Sequence, residues 1–346
     1  MTMRRNVLAG LGAVVAMTVS VVAAPAASAG QELPLPGFGD VVVDDAHERV
    51  FVSGGGAGNG IVVADFTGRV RHTIPNQLGA DGLVLSADGT KLYAALSAGD
   101  AISVIDTATL TETARHPTGA GTCPTHLART GDLIWFGYGC VDGTWSGKIG
   151  KLDPAAATPV SGDQQKDVRY QRAPLLSAAG GANGPLVAGQ LSLSQSMVQV
   201  YGVSGGELSA GATGDVVGAG LYDTDITADG ATLYSAAGGR DRVEAFASAD
   251  LARRGAYAAR PRPVAVSLSP DDRHLAAGAL TTDAADVLIY EVGGVTPVNS
   301  IALDGGETVQ PRGLSWSADR KRLFVVTRYQ NDPEPHLEVE RYPLGW

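Results

Sequence analysis

Apolar residues along this chain fall in short runs separated by polar and glycine-rich turn signals. Leu92-Tyr93-Ala94-Ala95-Leu96 is one run and Ala101-Ile102-Ser103-Val104-Ile105 is the next, with Ser97 to Asp100 between them. Runs of this length predict strands. Asp106 ends the second because its carboxylate can accept backbone N–H groups just ahead, closing an Asx-type turn with Thr107. A further strand then begins near Leu110. The same grammar recurs along the chain. Ser86-Ala87-Asp88-Gly89, Thr227-Ala228-Asp229-Gly230, Ser269-Pro270-Asp271-Asp272 and Ser317-Ala318-Asp319-Arg320 each sit between two apolar runs. Weaker copies begin at Asp44, Ala128 and Ser177, so the spacing is 42 to 50 residues with about four strands per unit. A period of ~40–50 residues holding four strands is that of a propeller blade. The pattern therefore predicts an all-β fold, a seven-bladed β-propeller of four-stranded antiparallel blades.

The N-terminus reads differently. Arg4 and Arg5 precede an uncharged apolar stretch from Val7 to Val22, and Ala27-Ser28-Ala29 fits the small-x-small rule for signal cleavage. Residues 1–29 are expected to be a signal peptide, leaving 30–346 as a single domain that is secreted, either extracellular or associated with the cell wall. No later stretch approaches the length of a bilayer span. Cleavage removes two arginines and no acid, so the net charge of −10 becomes −12. That balance opposes nucleic-acid binding. Two cysteines, Cys123 and Cys140, remain in a chain bound for an oxidising compartment, which favours a disulfide. A two-residue turn at Gly131-Asp132 sets them directly opposite each other across a hairpin.

Leu92-Tyr93, Val104-Ile105-Asp106-Thr107-Ala108-Thr109, Gly119 and Pro124 together resemble the repeat of the YVTN-type β-propellers, which group with the lactonase-like propellers secreted or surface-bound in many bacteria. Blade 1 keeps Val50-Phe51-Val52 and Ile61 to Asp65, and blade 5 keeps Leu233-Tyr234 and Val243 to Phe246. The resemblance implies seven blades, export and a binding role. The His-Pro-His signature of the phosphogluconolactonase-like members is missing, because His116-Pro117 lacks the second histidine.

The last blade runs short of residues for a fourth strand. Residues 31–36 are expected to supply it, since Pro34 and Pro36 lack N–H groups on one side and suit an outermost edge. On the face where the loops joining second and third strands meet the inter-blade connections, the chain places Arg240 and Arg242 (blade 5), Arg260 and Arg262 (blades 5 to 6), Arg312 (before the first strand of blade 7), and Arg328 with Tyr329 (blade 7). Guanidinium forks suit carboxylate or phosphate, so this sector is a candidate anion site; the other reading is solvated loop arginines paired with Asp241, Asp271 or Asp286. Trp145, in a glycine-rich loop of blade 3, is a candidate aromatic platform, the other reading being that it folds back over the disulfide. His336, Glu338 and Glu340 alternate on one strand and so share a face, a set able to bind a divalent metal; their period also fits an ordinary strand with Leu337 and Val339 inward, and no metal site is assigned. Asp223, Asp225 and Asp229 hint at a calcium loop but lack its glycine and closing glutamate. No nucleophile-elbow, zincin or phosphate-loop motif appears, and no cofactor is implied. The expectation is a monomeric binding or scaffold protein whose partner is an anionic small molecule, a cell-wall polymer or a surface protein. The alternative is a lactonase-like hydrolase using channel residues such as Asp81, His126, Arg262 and Arg312.

Overall fold

The computed structural model describes residues 30–140, 145–191, 194–281, 285–303, 305–332 and 334–342. They form seven four-stranded antiparallel sheets, with no helix among the described residues. Six sheets take four consecutive strands each. Blade 2, for example, runs outward through Ala80–Leu85, Lys91–Leu96, Ala101–Asp106 and Thr111–Pro117. Innermost strands of successive blades pack on one another, and Glu307–Trp316 of blade 7 meets Val41–Asp44 of blade 1 to close the ring.

The apolar runs are explained by where their strands lie. Second and third strands are covered on both faces by neighbouring blades, so Lys91–Leu96 and Ala101–Asp106 are buried almost throughout, while the outermost Thr111–Pro117 is largely exposed. Burial resolves into seven apolar layers, one between each pair of adjacent blades. Phe51, Ile61 and Ile74 of blade 1 meet Leu83, Leu92 and Leu96 of blade 2. Tyr234, Val243 and Tyr257 of blade 5 meet Val266, Leu275 and Tyr290 of blade 6.

Blade 7 joins the two ends of the described chain. Gln31–Glu32 pairs with Pro335–Arg341 in the register Gln31↔Leu337 and Glu32↔His336, and the Leu33 N–H adds a bond to Pro335 O at 2.8 Å. The closing strand is thus shorter than residues 31–36. Pro34 and Pro36 offer no N–H, so the ladder stops at Leu33, and Leu33 and Leu35 turn into the layer between blades 7 and 1.

The recurrent turn is a small hydrogen-bonded unit. Ser86 Oγ donates to Asp88 Oδ1 (2.6 Å), which also accepts the Thr90 N–H, while the Lys91 N–H donates back to Ser86 Oγ (3.0 Å). Thr227–Asp229, Ser269–Asp271 and Ser317–Asp319 repeat it. Hydrogen bonds to the ionised form hold the Asp88 carboxyl down at about 2. The fourth turn residue is left-handed, which glycine takes freely at Gly89 and Gly230 (φ +71° in each). At Asp106 the carboxylate accepts from the Ala108 and Thr109 N–H groups (3.1 and 2.7 Å), and the outer strand starts at Thr111.

The blade 3 hairpin keeps the expected register from Thr130↔Leu133 to His126↔Gly137, then slips by one at a bulge so that Pro124 faces Tyr138. Cys123 and Cys140 lie just beyond and are bonded, with Cα atoms 5.0 Å apart.

Two outcomes follow for stability. Ser269→Ala removes a buried hydroxyl that both donates to Asp271 and accepts the His274 N–H (2.9 Å); urea unfolding should show a loss of about 1–3 kcal/mol. Replacing both cysteines by serine should cost on the order of 3 kcal/mol for the 17-residue separation, while reduction of a protein already carrying serines should change nothing.

Candidate functional site

The innermost strands carry acids toward the ring axis, and their oxygens are used between blades. Asp40 accepts the Val41 N–H and, from blade 2, the Leu83 N–H, both at 3.0 Å. Asp223 accepts the Thr224 N–H (2.9 Å) and, from blade 6, the Val266 N–H (2.8 Å). Asp225 does the same with Ile226 (2.8 Å) and Leu268 (2.7 Å). Each carboxylate is thus a bridge from its own strand to the next blade. The channel walls strip these groups of bulk water, which raises Asp40 and Asp81, raises Asp223 strongly, and pushes Asp225 up to about 6. The calcium-like spacing of Asp223, Asp225 and Asp229 is therefore structural: two acids bridge blades and the third closes its turn.

Arg312 answers these acids. It lies on a bulge inside Glu307–Trp316, between Val309 and Leu314, rather than in the connection before that strand. Its left-handed backbone (φ +64°) belongs to the bulge. From there the guanidinium reaches across the axis: Nη1 is 2.9 Å from His126 Nδ1 on blade 3, and Nη2 donates to Gly39 O beside blade 1. Its charge pulls down Asp40, Asp81 and Asp223 against the upward push of burial. His126 is held well below the usual imidazole value, first by burial and then by Arg312. A guanidinium only donates, so Nδ1 accepts and the neutral ring carries its proton on Nε2.

Asp81 and His126 also line a cavity of about 490 Å³ with Ser97, Arg172, Leu191 and the Cys123–Cys140 bridge. Asp100 anchors that wall by accepting the Cys123 N–H (2.9 Å) and the Gly121 N–H (2.7 Å). Trp145, half exposed at 50 %, follows residues 141–144, which lie outside the described set.

The remaining arginines do not join Arg312. Arg240 and Arg242 turn instead to Glu244, a carboxylate only 3 % exposed, and Arg253 from the outermost strand of blade 5 completes the set at 3.3, 3.0 and 3.3 Å. Arg240, Asp241, Arg242 and Arg260 line a groove of about 440 Å³ that also touches Val295 of blade 6. Arg260 is 3.9 Å from Asp241. Arg262 is exposed in the connection to blade 6. Arg328 is exposed at the end of its strand, and Tyr329 packs edge-on against His336 at 5.1 Å between centroids. The six arginines are thus divided between the channel, the blade 5 groove and the open surface.

Glu244 and Arg253 escaped the sequence reading because their meeting depends on strand pairing. The channel set left a usable signal: Asp40, Asp81, Asp223 and Arg312 all stand four or five residues ahead of the recurrent turn. His336 and Glu338 are another departure. Both are buried, with Leu337 between them, because Pro335–Arg341 is the third strand of its blade and is covered on both faces by the neighbouring blades, where an ordinary strand with one inward face was expected.

Replacing Arg312 by glutamine leaves three acids without their cation. We expect a loss of about 3–5 kcal/mol at pH 8 in urea unfolding. The acids' folded-state values lie above their unfolded ones, so their contribution is present at low pH and is lost as pH rises. The deficit of Arg312→Gln should therefore shrink toward pH 5.

No family model matches the chain, and no curated protein matches it. Solved structures do. A chain of the mitotic checkpoint complex is similar over 98 % of this chain and 99 % of its own, with a TM-score of 0.69 at 16 % identity. Kuenenia stuttgartiensis hydrazine synthase aligns over 95 % of this chain and 100 % of the matched one (TM-score 0.67, 14 % identity). The β-propeller domain of Myceliophteria thermophila Cps50 (Swd1) aligns over 90 % and 98 % (TM-score 0.66, 11 % identity). At such identities the likeness is one of fold, and the fold shared is the seven-bladed β-propeller.

Proposed function

We propose that this chain is an exported β-propeller that binds an anionic ligand, with the groove on blade 5 as its contact. One observation carries the reading. Three guanidinium groups, from Arg240, Arg242 and Arg253, share the single carboxylate of Glu244, and Arg260 stands at the same groove with only Asp241 nearby. Three arginines, Arg240, Arg242 and Arg260, and one acid, Asp241, line that groove, in a chain whose net charge is −10. Guanidinium donors not spent on Glu244 are fixed by it, and a fixed fork suits carboxylate or phosphate. Export is supported by the leader-like residues 1–29 and is compatible with the bonded cysteines. The ligand class is a carboxylate- or phosphate-bearing molecule or wall polymer.

Hydrolysis in the channel draws less support. Its base would be His126 or an aspartate, but His126 Nδ1 is occupied by Arg312, the carboxylates of Asp40, Asp223 and Asp225 are bonded to backbone N–H groups, and Asp81, the acid that lines the cavity, is held by Ser97 and by the charge of Arg312.

The test is equilibrium binding of a phosphate-bearing wall polymer against a neutral polysaccharide of similar length. Affinity for the anionic polymer should exceed that for the neutral one and fall with salt. Arg260→Ala, which leaves Glu244 fully paired, should weaken binding roughly tenfold at low salt, as loss of one charge-assisted bond predicts. Equal affinity for both polymers, or an Arg260→Ala protein that binds as before, would overturn the reading.

A further inference from the structure

We propose that signal cleavage after Ala29 builds a latch: the new α-ammonium of Gly30 pairs with the buried carboxylate of Glu338 and locks the closing strand onto blade 7. The inference rests on the export reading for its cleavage site and on the fold for everything else.

The register of the closing strand sets Gly30 opposite Glu338, one step beyond Gln31↔Leu337. Directly opposed residues on neighbouring strands send their Cβ positions to the same face. Glycine leaves that position empty, and the Glu338 side chain occupies it. A Cβ built on Gly30 would lie 2.7 Å from Glu338 Cδ, closer still to Oε1, and 3.2 Å from His336 Cβ. N and Cβ of one residue are about 2.5 Å apart, so the Gly30 nitrogen lies within about 5 Å of that carboxylate. Glu338 is 3 % exposed. In the uncleaved chain this nitrogen is an amide with one donor and no charge. Hydrolysis of the Ala29–Gly30 bond adds one water: the Ala29 carbonyl leaves as a carboxylate, and the nitrogen takes up protons to become an ammonium with three donors. A unit positive charge then appears beside a carboxylate in a low-dielectric setting, where a pair at this distance is strongest.

The surroundings are acidic. His336 shares the strand with Glu338, and its Nδ1 is 3.9 Å from Glu307 Oε1 of the innermost strand. Tyr329 stacks edge-on against His336, and Glu32 and Glu334 interact at the adjoining surface. Glu307 is 2 % exposed. A cation delivered to this corner stands beside the carboxylate of Glu338, with Glu307 behind His336. The residue at the cleavage position is also the one residue type without the atom that would collide with Glu338.

The experiment compares three proteins: residues 30–346 with a free Gly30 amine, released from a cleavable fusion; the same chain acetylated at Gly30; and the same chain with one added N-terminal residue. Melting temperature is read from pH 6 to pH 10, with and without Glu338→Gln. The free-amine protein should melt a few degrees higher at pH 6–7. A cation stabilised by folding contributes fully below its unfolded value of about 8 and loses the contribution as pH rises through its higher folded value. The gap should therefore close toward pH 10, and it should vanish in the Glu338→Gln background. Equal melting of free and acetylated chains at pH 7 would overturn the latch. If Glu338→Gln fails to fold, the pH dependence of the acetylation gap decides alone. Mass spectrometry of exported material tests cleavage separately: a first residue other than Gly30 refutes the processing step even where the fusion-derived protein shows the gap.

Discussion

A ring of sheets has no free end only if its first and last units meet, and everything else in this fold depends on that meeting. Here the innermost strands of blades 7 and 1 meet, and a two-residue strand from the N-terminal side completes blade 7. Gln31–Glu32 supplies the fourth strand of blade 7, and Leu33 and Leu35 continue from it into the apolar layer against blade 1. Backbone pairing fixes the register, while the two leucines add apolar contact to the layer formed by Val50, Val52, Phe66 and Phe324. Without this segment, Pro335–Arg341 would present an unpaired edge and the layer between blades 7 and 1 would lose Leu33 and Leu35.

Inside the ring, charge is distributed by function of place rather than evenly. Acids line the axis because an innermost strand leaves N–H groups that the next blade cannot reach with its own backbone, and a short carboxylate spans that gap. Asp40, Asp223 and Asp225 each do so. Such a wall of buried negative charge needs a cation, and Arg312 supplies it from a bulge, meeting His126 on the far side. At the rim of blade 5 the balance reverses, with guanidinium groups outnumbering the carboxylate they share.

The architecture was legible because it is written in local signals. A turn whose serine or threonine and aspartate bond to each other is chosen by a few adjacent residues, so its copies can be counted directly. The cystine was legible for a similar reason, since it closes a hairpin only 17 residues apart. The site was harder. Arg312 and His126 are 186 positions apart, and no local pattern says that a bulge will aim one at the other. Arg240 and Arg242 were found, but the residues that decide their state, Glu244 and Arg253, become neighbours only once blade 5 is paired. Glu338 was read on an ordinary strand with Leu337 and Val339 inward because burial of both faces of a third strand arises only when the neighbouring blades pack against it.

The left-handed turn position has a consequence for how the molecule comes apart. In blades 2 and 5 it is glycine, but in blades 6 and 7 it is Asp272 (φ +57°) and Arg320 (φ +60°); aspartate enters this backbone more readily than arginine, and neither as freely as glycine. Both reach sideways: Asp272 accepts the Ala228 N–H of blade 5 (2.8 Å), and Arg320 pairs with Asp271 of blade 6. Each residue is locally frustrated and gains its partner only when the neighbouring blade is in place. Three consecutive blades are thereby coupled, so a blade in this arc that loosens releases strain in its own turn while removing support from the next. Unfolding along this arc should spread as a chain of linked failures, unlike the independent fraying of units held by their own turns alone.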